Sequence, residues 1–461
     1  MSRIAVIGSG ISGLSAALHL SAPGSGHEVT VFEAGQHFGG HANTVDVTLG
    51  GITHGVDTGF LVYNERTYPG LIAMFDELGV VRAPSEMSFS VQSPQGAGRR
   101  NIEWSGNSLN TVFAQRRNLL RPRFWSMLRD ILRFNRLTTA MAVSGADAAL
   151  AQPIGAFLDA HGFGTPFRED YFLPMVACIW SCPTEQMLRF PMATMIRFCH
   201  NHGLLQVANR PQWFTVTGGS REYVRKVLAR LKDTRLNTPV THVTRHAQGV
   251  TVHTAHGPET FDAVVMACHS DQALRLLGAQ ATVNERDLLG AIRYQPNRAV
   301  LHTDTRLLPQ KRSAWAAWNY ERAAQVDTEQ AQVCLHYLIN ALQPLPWQQP
   351  VVVSLNPVRE PDPATVIQEI AYDHPVFDQA AIDAQARLPA IQGTQGVWYA
   401  GAWCGYGFHE DGFQGPLVVS CGNQRRQSVV VVAPCGHVGK SQSGLSTCPC
   451  GLVVHELEAV S

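Results

Sequence analysis

The stretch Ser2-Arg3-Ile4-Ala5-Val6-Ile7-Gly8-Ser9-Gly10-Ile11-Ser12-Gly13 decides how the chain is read. Its first six residues are an apolar run of strand length. A G-x-G-x-x-G follows at once, and Leu14, Ala17, Leu18 and Leu20 then recur at helical spacing. Glu28 to Phe32 reads as a second strand, closed by Glu33. Strand, glycine turn, helix, strand and acid together form a dinucleotide-binding unit with a mechanism. Gly8 permits the tight turn. Gly10 lets backbone amides approach a pyrophosphate at the positive end of the helix. Gly13 lets helix and strand pack closely. Glu33 stands twenty residues beyond Gly13, where a carboxylate accepts from a ribose hydroxyl.

Beyond Glu33 the chain reads Ala34-Gly35-Gln36-His37-Phe38-Gly39-Gly40-His41. A Gly-Gly pair at this place resembles the second phosphate-side loop of the FAD-binding amine oxidase and phytoene desaturase superfamily. Further stretches carry the same resemblance: Ala42-Asn43-Thr44-Val45, Val56-Asp57-Thr58-Gly59-Phe60, Pro174-Met175 with Ile179-Trp180-Ser181, Leu355-Asn356-Pro357 and His374-Pro375-Val376-Phe377. Gly401-Ala402-Trp403 with Gly405-Tyr406-Gly407-Phe408-His409-Glu410-Asp411-Gly412 completes it. Together they resemble a bacterial amine-oxidase-like subgroup associated with cyclopropane and methyl-branched fatty-acid synthesis.

The resemblance implies an α/β flavoprotein, a Rossmann-type FAD-binding domain interleaved with an α+β substrate domain. It implies that FAD is held by Gly8, Gly10, Ile11, Ser12, Gly13, Glu33, Ala34, Gly39, Gly40 and His41. Asp57, Thr58, Gly59, Phe60, Val240, Gly401, His409, Gly412 and Phe413 are expected to join them. The turn after Gly401 is expected to face the pyrimidine end of the flavin, where a helix N-terminus stabilises negative charge. Tyr406, His409 and Glu410 are the catalytic candidates, with Tyr63 a further candidate. His409 and Glu410 are either an acid–base pair or a pair that shapes the turn.

The 461 residues suffice for two or three domains. Formal net charge is zero, which argues against a broad nucleic-acid surface. No run of eighteen apolar residues spans a membrane, and the glycines in Met1 to Leu20 argue against a signal peptide. Cys178, Cys182, Cys199, Cys268 and Cys334 read as reduced thiols of a cytoplasmic enzyme. The expected division is FAD domain 1–75, helical substrate domain 76–205, FAD domain 206–270, substrate sheet 271–390, closing FAD segment 391–424 and an atypical tail 425–461. In the tail, Cys435-Gly436-His437 and Cys448-Pro449-Cys450 lack the spacing of a standard zinc site, so no metal is expected.

Along the chain, Thr44 to Leu49 and Ile52 to Val56 flank Gly50-Gly51 as a hairpin. Tyr68 to Leu78 and Ile154 to Ala160 read as helices. Tyr171 to Pro191 reads as a core helix or as a wall of the substrate cavity through Trp180, Ser181 and Cys182. Ser220 is placed to cap a helix bearing Val224, Val227, Leu228 and Leu231. Pro239 to Val243, Val250 to Thr254 and Phe261 to Ala267 read as strands, the last ending near the pyrophosphate at Cys268-His269. The aromatics, Asn and His between 271 and 390 read as ordinary sheet core.

Three functions remain open. The first is hydride transfer between flavin N5 and a C–H bond of a hydrophobic substrate, a fatty-acyl chain. The second is amine oxidation, disfavoured because none of Lys226, Lys232, Lys311 and Lys440 lies in a flavin-side stretch. The third is a non-catalytic FAD-bearing partner of a lipid methyltransferase or cyclopropane synthase. Between Arg116 and Arg136, arginines interleave with Leu, Phe and Trp. That pattern suits a helix lying on the inner membrane surface, with phospholipid acyl chains as substrate, or equally a cap helix with solvated arginines.

Overall fold

The computed structural model describes residues 2–93, 101–144, 150, 152–206, 210–323 and 332–414, with the backbone of two short paired strands, Val418–Ser420 and Val429–Val431. The rest of the tail, with its cysteines, lies outside the described residues.

Its centre is a five-stranded parallel sheet in the order Asp233–Arg235, His27–Phe32, Ser2–Ile7, Ala263–Met266, Val397–Tyr399. Ile4 to Ile7 and Val29 to Phe32 are buried along their whole length, as strands covered on both faces must be. On one face the helix Ile11–Leu20 supplies Ala16, Ala17 and Leu20 against Ile4, Val6 and Val31. On the other, Ala5, Ile7 and Phe32 pack on Val243, Val250 and Phe261 of a three-stranded antiparallel sheet. That sheet comprises His242–His246, Gly249–Thr254 and Gly257–Phe261. The expected strand from Phe261 to Ala267 is therefore two strands. The chain leaves the small sheet at Phe261, and at Asp262, whose carboxylate accepts from Arg3 N at 2.7 Å, it turns into the parallel sheet.

A second, seven-stranded sheet runs Val366–Val376, Arg293–His302, Val352–Leu355, Leu335–Leu338, Trp318–Glu321, Phe89–Ser93, Ile102–Ser105. All its pairs are antiparallel except Trp318–Glu321 with Phe89–Ser93, which run parallel. Strand alternation divides its chemistry. Val353 and Leu355 face a large cavity, and Ser354 between them bonds His302 Nε2 and His336 Nδ1, both at 2.7 Å. Helices Pro122–Ser144, Ile154–Ala160, Leu173–Trp180, Thr184–Arg189 and Met192–Asn201 pack beside this sheet. The expected long element at Tyr171 to Pro191 is broken at Ser181, which adopts φ 52°, and at Pro183. Ser220 does not cap the helix Arg221–Leu228. Its Oγ donates instead to Asp57 Oδ1 at 2.7 Å.

Candidate active site

The three glycines of the turn do three separate things. Gly8 sits at φ 103°, and a Cβ there would lie 2.6 Å from Ala267 O. A Cβ on Gly13 would lie 1.9 Å from Gly8 O, so this position sets the contact of helix and turn. Gly10 has φ −62°, open to any residue, and a Cβ on it would meet nothing within 4 Å. The open space beside Gly10 is where a pyrophosphate fits, at the head of a ten-residue helix. Gly40 closes on Gly10 from the other side, its Cβ position 3.2 Å from Gly10 Cα, and Gly39 N donates to Ser9 O at 3.1 Å.

Glu33 is at the edge of this turn. Its carboxylate accepts from Ser9 N at 2.9 Å, Ser9 Oγ at 2.5 Å and Gly35 N at 2.7 Å. Thr238, whose N donates to Glu33 O at 2.8 Å, and Val240 line the same end.

From here a cavity of about 650 Å³ runs between the parallel sheet and the seven-stranded sheet. Gly8, Gly10, Ile11, Ser12, Glu33, Ala34, Gly39, Gly40, His41, Thr58, Gly59, Phe60, Val240, Gly401, Tyr406 and His409 all line it. Segments far apart in sequence are brought together here by close backbone approach. Phe60 N donates to His41 O at 2.7 Å, and a Cβ on Gly59 would lie 2.3 Å from that same oxygen.

Four expected cofactor residues stand outside the cavity lining, each for a packing reason. Gly13 sits behind the turn. Gly412 lets the helix His409–Gln414 press on Ile11 and Ser12, its Cβ position 2.6 Å from Ile11 Cγ2. Phe413 packs edge-on against His19 at 5.7 Å. Asp57 is a latch: its buried carboxylate accepts from Ser220 N at 2.9 Å, Thr44 Oγ1 at 2.5 Å and Gln343 Nε2 at 2.8 Å. Burial pushes its carboxyl up to about 6. Tyr63 is likewise buried in the core, against Phe75 and Tyr68.

His409 and Glu410 face apart. His409 stacks on Phe60 with centroids 3.7 Å apart, and its Nε2 meets Tyr223 OH at 3.2 Å. Burial pushes it down to about 3, so the ring is neutral. Glu410 turns away and accepts from Gly70 N at 2.8 Å and Leu71 N at 2.9 Å, covering the first turn of the helix Pro69–Leu78. The pair shapes the fold around the turn and has no shared proton. Tyr406 lines the cavity, and its carbonyl accepts from Trp180 Nε1 at 3.3 Å.

The sequence reading overlooked a histidine–tyrosine wall. His41 stacks on Tyr372 at 4.7 Å and lies 5.3 Å from His374, and its buried Nε2 has no hydrogen-bond partner in the protein. His269 stacks on Tyr294 at 4.3 Å, and His374 Nδ1 meets Asn297 Nδ2 at 2.9 Å. Burial holds His374 down to about 4, and it lowers His41 and His269 as well. Tyr372 and His374 had the look of sheet core, and the even spacing of this pair was the available signal for one common face. Trp180, Ser181, Phe198, His202 and Trp213 join the opposite wall, whereas Cys182 is buried outside it.

The open cradle at Gly10, the close glycines around it and the unpartnered His41 Nε2 fit a flavin dinucleotide. The flavin-containing amine oxidoreductase family model matches residues 11–311. Comparison with curated proteins gives no match. Among solved structures the chain is similar to a CLA-producing fatty acid isomerase from P. acnes, at TM-score 0.63 and 17% identity, over 89% of this chain and 96% of that one. It is also similar to a cyclohexylamine oxidase from Brevibacterium oxydans, at TM-score 0.62 and 15% identity, over 90% and 96% of the two chains. A putrescine oxidase matches at TM-score 0.62 and 15% identity, over 89% and 96%. With FAD as its cofactor and oxidoreduction as its chemistry, the chain belongs to the flavin-containing amine oxidoreductase family.

Proposed function

We propose that the protein moves hydride between FAD and a C–H bond of a fatty-acyl chain. The observation that carries this reading is the wall facing away from the glycine turn. Met87, Ile179, Phe198, Leu204, Trp318, Val353 and Leu355 form it with Trp180, Trp213 and Phe408. Among the described lining residues only Glu33 and Asp373 are acidic. Glu33 is engaged by the glycine turn, and Asp373 lies beside His269, after the strand that meets Gly8. A protonated amine would enter a chamber with no carboxylate on its substrate wall, whereas an acyl chain loses water contact at every methylene, about 0.8 kcal/mol each. Lys226 is occupied elsewhere, donating to Leu78 O at 3.0 Å and Gly79 O at 2.9 Å. A fold neighbour that acts on a fatty acid supports the same reading.

When bound, the flavin supplies the hydride chemistry. The protein's own residues do the rest. The glycine turn and helix Ile11–Leu20 hold the diphosphate end. The Phe60–His409 stack and Gly401 position the cavity end, and the aromatic wall excludes water from the substrate. His409, His374 and His202 are neutral, the last held down to about 4 by burial, and the one Lys or Arg among the described lining residues, Arg275, is paired with Asp271 at 2.5 Å. Anaerobic mixing of the flavin-loaded protein with acyl substrates tests this. Loss of the flavin's visible absorbance with acyl chains and not with simple amines is the expected result. Bleaching by amines alone returns the protein to the amine oxidases.

A further inference from the structure

Between Leu109 and Ser144 the chain carries seven arginines and one acid, Asp130. The structure turns this into a surface. Between the ends of the helix Pro122–Ser144, which are themselves exposed, the residues open to solvent are Trp125, Arg129, Leu132, Arg136, Ala140 and Val143, a stripe at helical spacing. A solvated helix face would place polar residues there. Leu132 is 60% exposed, Val143 76%, and Leu120 in the preceding turn 88%. Trp125 is half exposed yet fixed, because its Nε1 donates to Leu119 O at 2.9 Å.

Among the described residues a single acid, Asp130, serves two of the arginines on this face. Asp130 is buried, 3.5 Å from Arg133 and 4.0 Å from Arg129. Arg116 and Arg117 donate to neutral acceptors, Phe113 O and Asn101 O. The nearby acids Glu169 and Asp170 are matched by Arg123 and Arg322. Among the described residues no helix is long and apolar enough to cross a membrane. A nucleic acid would engage the arginines and leave the leucines, valine and tryptophan in water.

We propose that this face docks in the plane of a bilayer containing anionic phospholipid. Leu120, Trp125, Leu132 and Val143 enter the headgroup boundary, and Arg116, Arg117, Arg129 and Arg136 meet lipid phosphates. The helix Met192–Asn201 packs against this helix and presents Phe198 to the cavity, so the docked face lies one helix away from the substrate chamber. The docking stands on the surface itself and does not require the substrate to be an acyl chain.

Co-sedimentation of the full-length, flavin-loaded protein tests it. Vesicles of phosphatidylglycerol mixed with phosphatidylcholine are compared with phosphatidylcholine alone, at low and high salt. Binding to the anionic vesicles is expected, weakened about tenfold or more by high salt and by Arg129→Glu with Arg136→Glu. Leu120→Glu with Leu132→Glu is expected to weaken it as much while flavin content stays unchanged. No pelleting, equal pelleting on neutral vesicles, or pelleting unaffected by either variant overturns the proposal. So does a lipid-free dimer that the leucine variant dissociates, since a second copy then covers the stripe. Flavin bleaching, read separately in solution, is not involved in any of these outcomes.

Discussion

Gly10 and Gly13 are three residues apart and identical in composition, yet the structure gives them opposite reasons for being glycine. Gly13 is held by sterics inside the protein, since a Cβ there would collide with Gly8 O. Gly10 is held only by what occupies the space next to it. Gly10→Val is therefore expected to yield a folded, colourless protein, whereas Gly13→Val is expected to lose the soluble fold. Flavin absorbance and circular dichroism on both variants check this. A yellow Gly10→Val protein would contradict the placement of the pyrophosphate. These glycines were legible in the sequence because strand, turn and helix are continuous there. Asp57 was not: its partners Ser220 and Gln343 lie 163 and 286 residues away, and nothing local marks a latch. The Tyr372–His374 pair was misread for a related reason, because alternation shows that two residues share a face but not which face meets a cavity.

At the scale of elements, the short helix His409–Gln414 links the cofactor turn to the substrate side. It packs on helix Ile11–Leu20 through Gly412 and covers the N-terminus of helix Pro69–Leu78 through Glu410. A carboxylate on two free N–H groups at a helix start stabilises by about 1–2 kcal/mol. Glu410→Gln is expected to lower the unfolding temperature by a few degrees, by roughly the amount such a loss gives, and to leave turnover within about twofold, since no proton moves through it. A collapse of turnover with unchanged stability would restore the acid–base pair. The hairpin, the glycine turns and most helices followed from periodicity and turn residues. The break at Ser181 and the double strand around Asp262 did not, because each depends on which sheet the chain must next reach. Truncation after Gln424 is expected to keep FAD at one equivalent per chain, since every described lining residue precedes that point. Flavin loss on truncation would show that the tail covers the site.

Across the whole molecule, buried histidines impose a pH dependence. His409 is pushed down to about 3, and His374, His202 and His302 to about 4, all by burial. The unfolded chain binds protons at these rings as pH falls below about 6.5, while the folded chain does not. Their contribution is present above that pH and is lost on acidification, about 1–2 kcal/mol per ring by pH 5. Asp57 and Asp411, each raised to about 6, act in the opposite direction, because the folded chain takes up their protons first between 6 and 4. Four rings outweigh two carboxyls, so the unfolding temperature is expected to fall from pH 7 to pH 5. A rise over that interval would mean the rings are charged in the folded state. The two-layer plan around the cavity was legible from the order of glycine motifs along the chain. The apolar wall of the chamber was not, since it is assembled from side chains far apart in sequence, Met87, Phe198, Trp318 and Leu355 among them. The most direct test of the account is anaerobic titration of the flavin-loaded protein with an unsaturated acyl chain and, separately, with a primary amine. The account predicts that flavin absorbance bleaches with the acyl chain and persists with the amine, and bleaching by the amine with an inert acyl chain would contradict it.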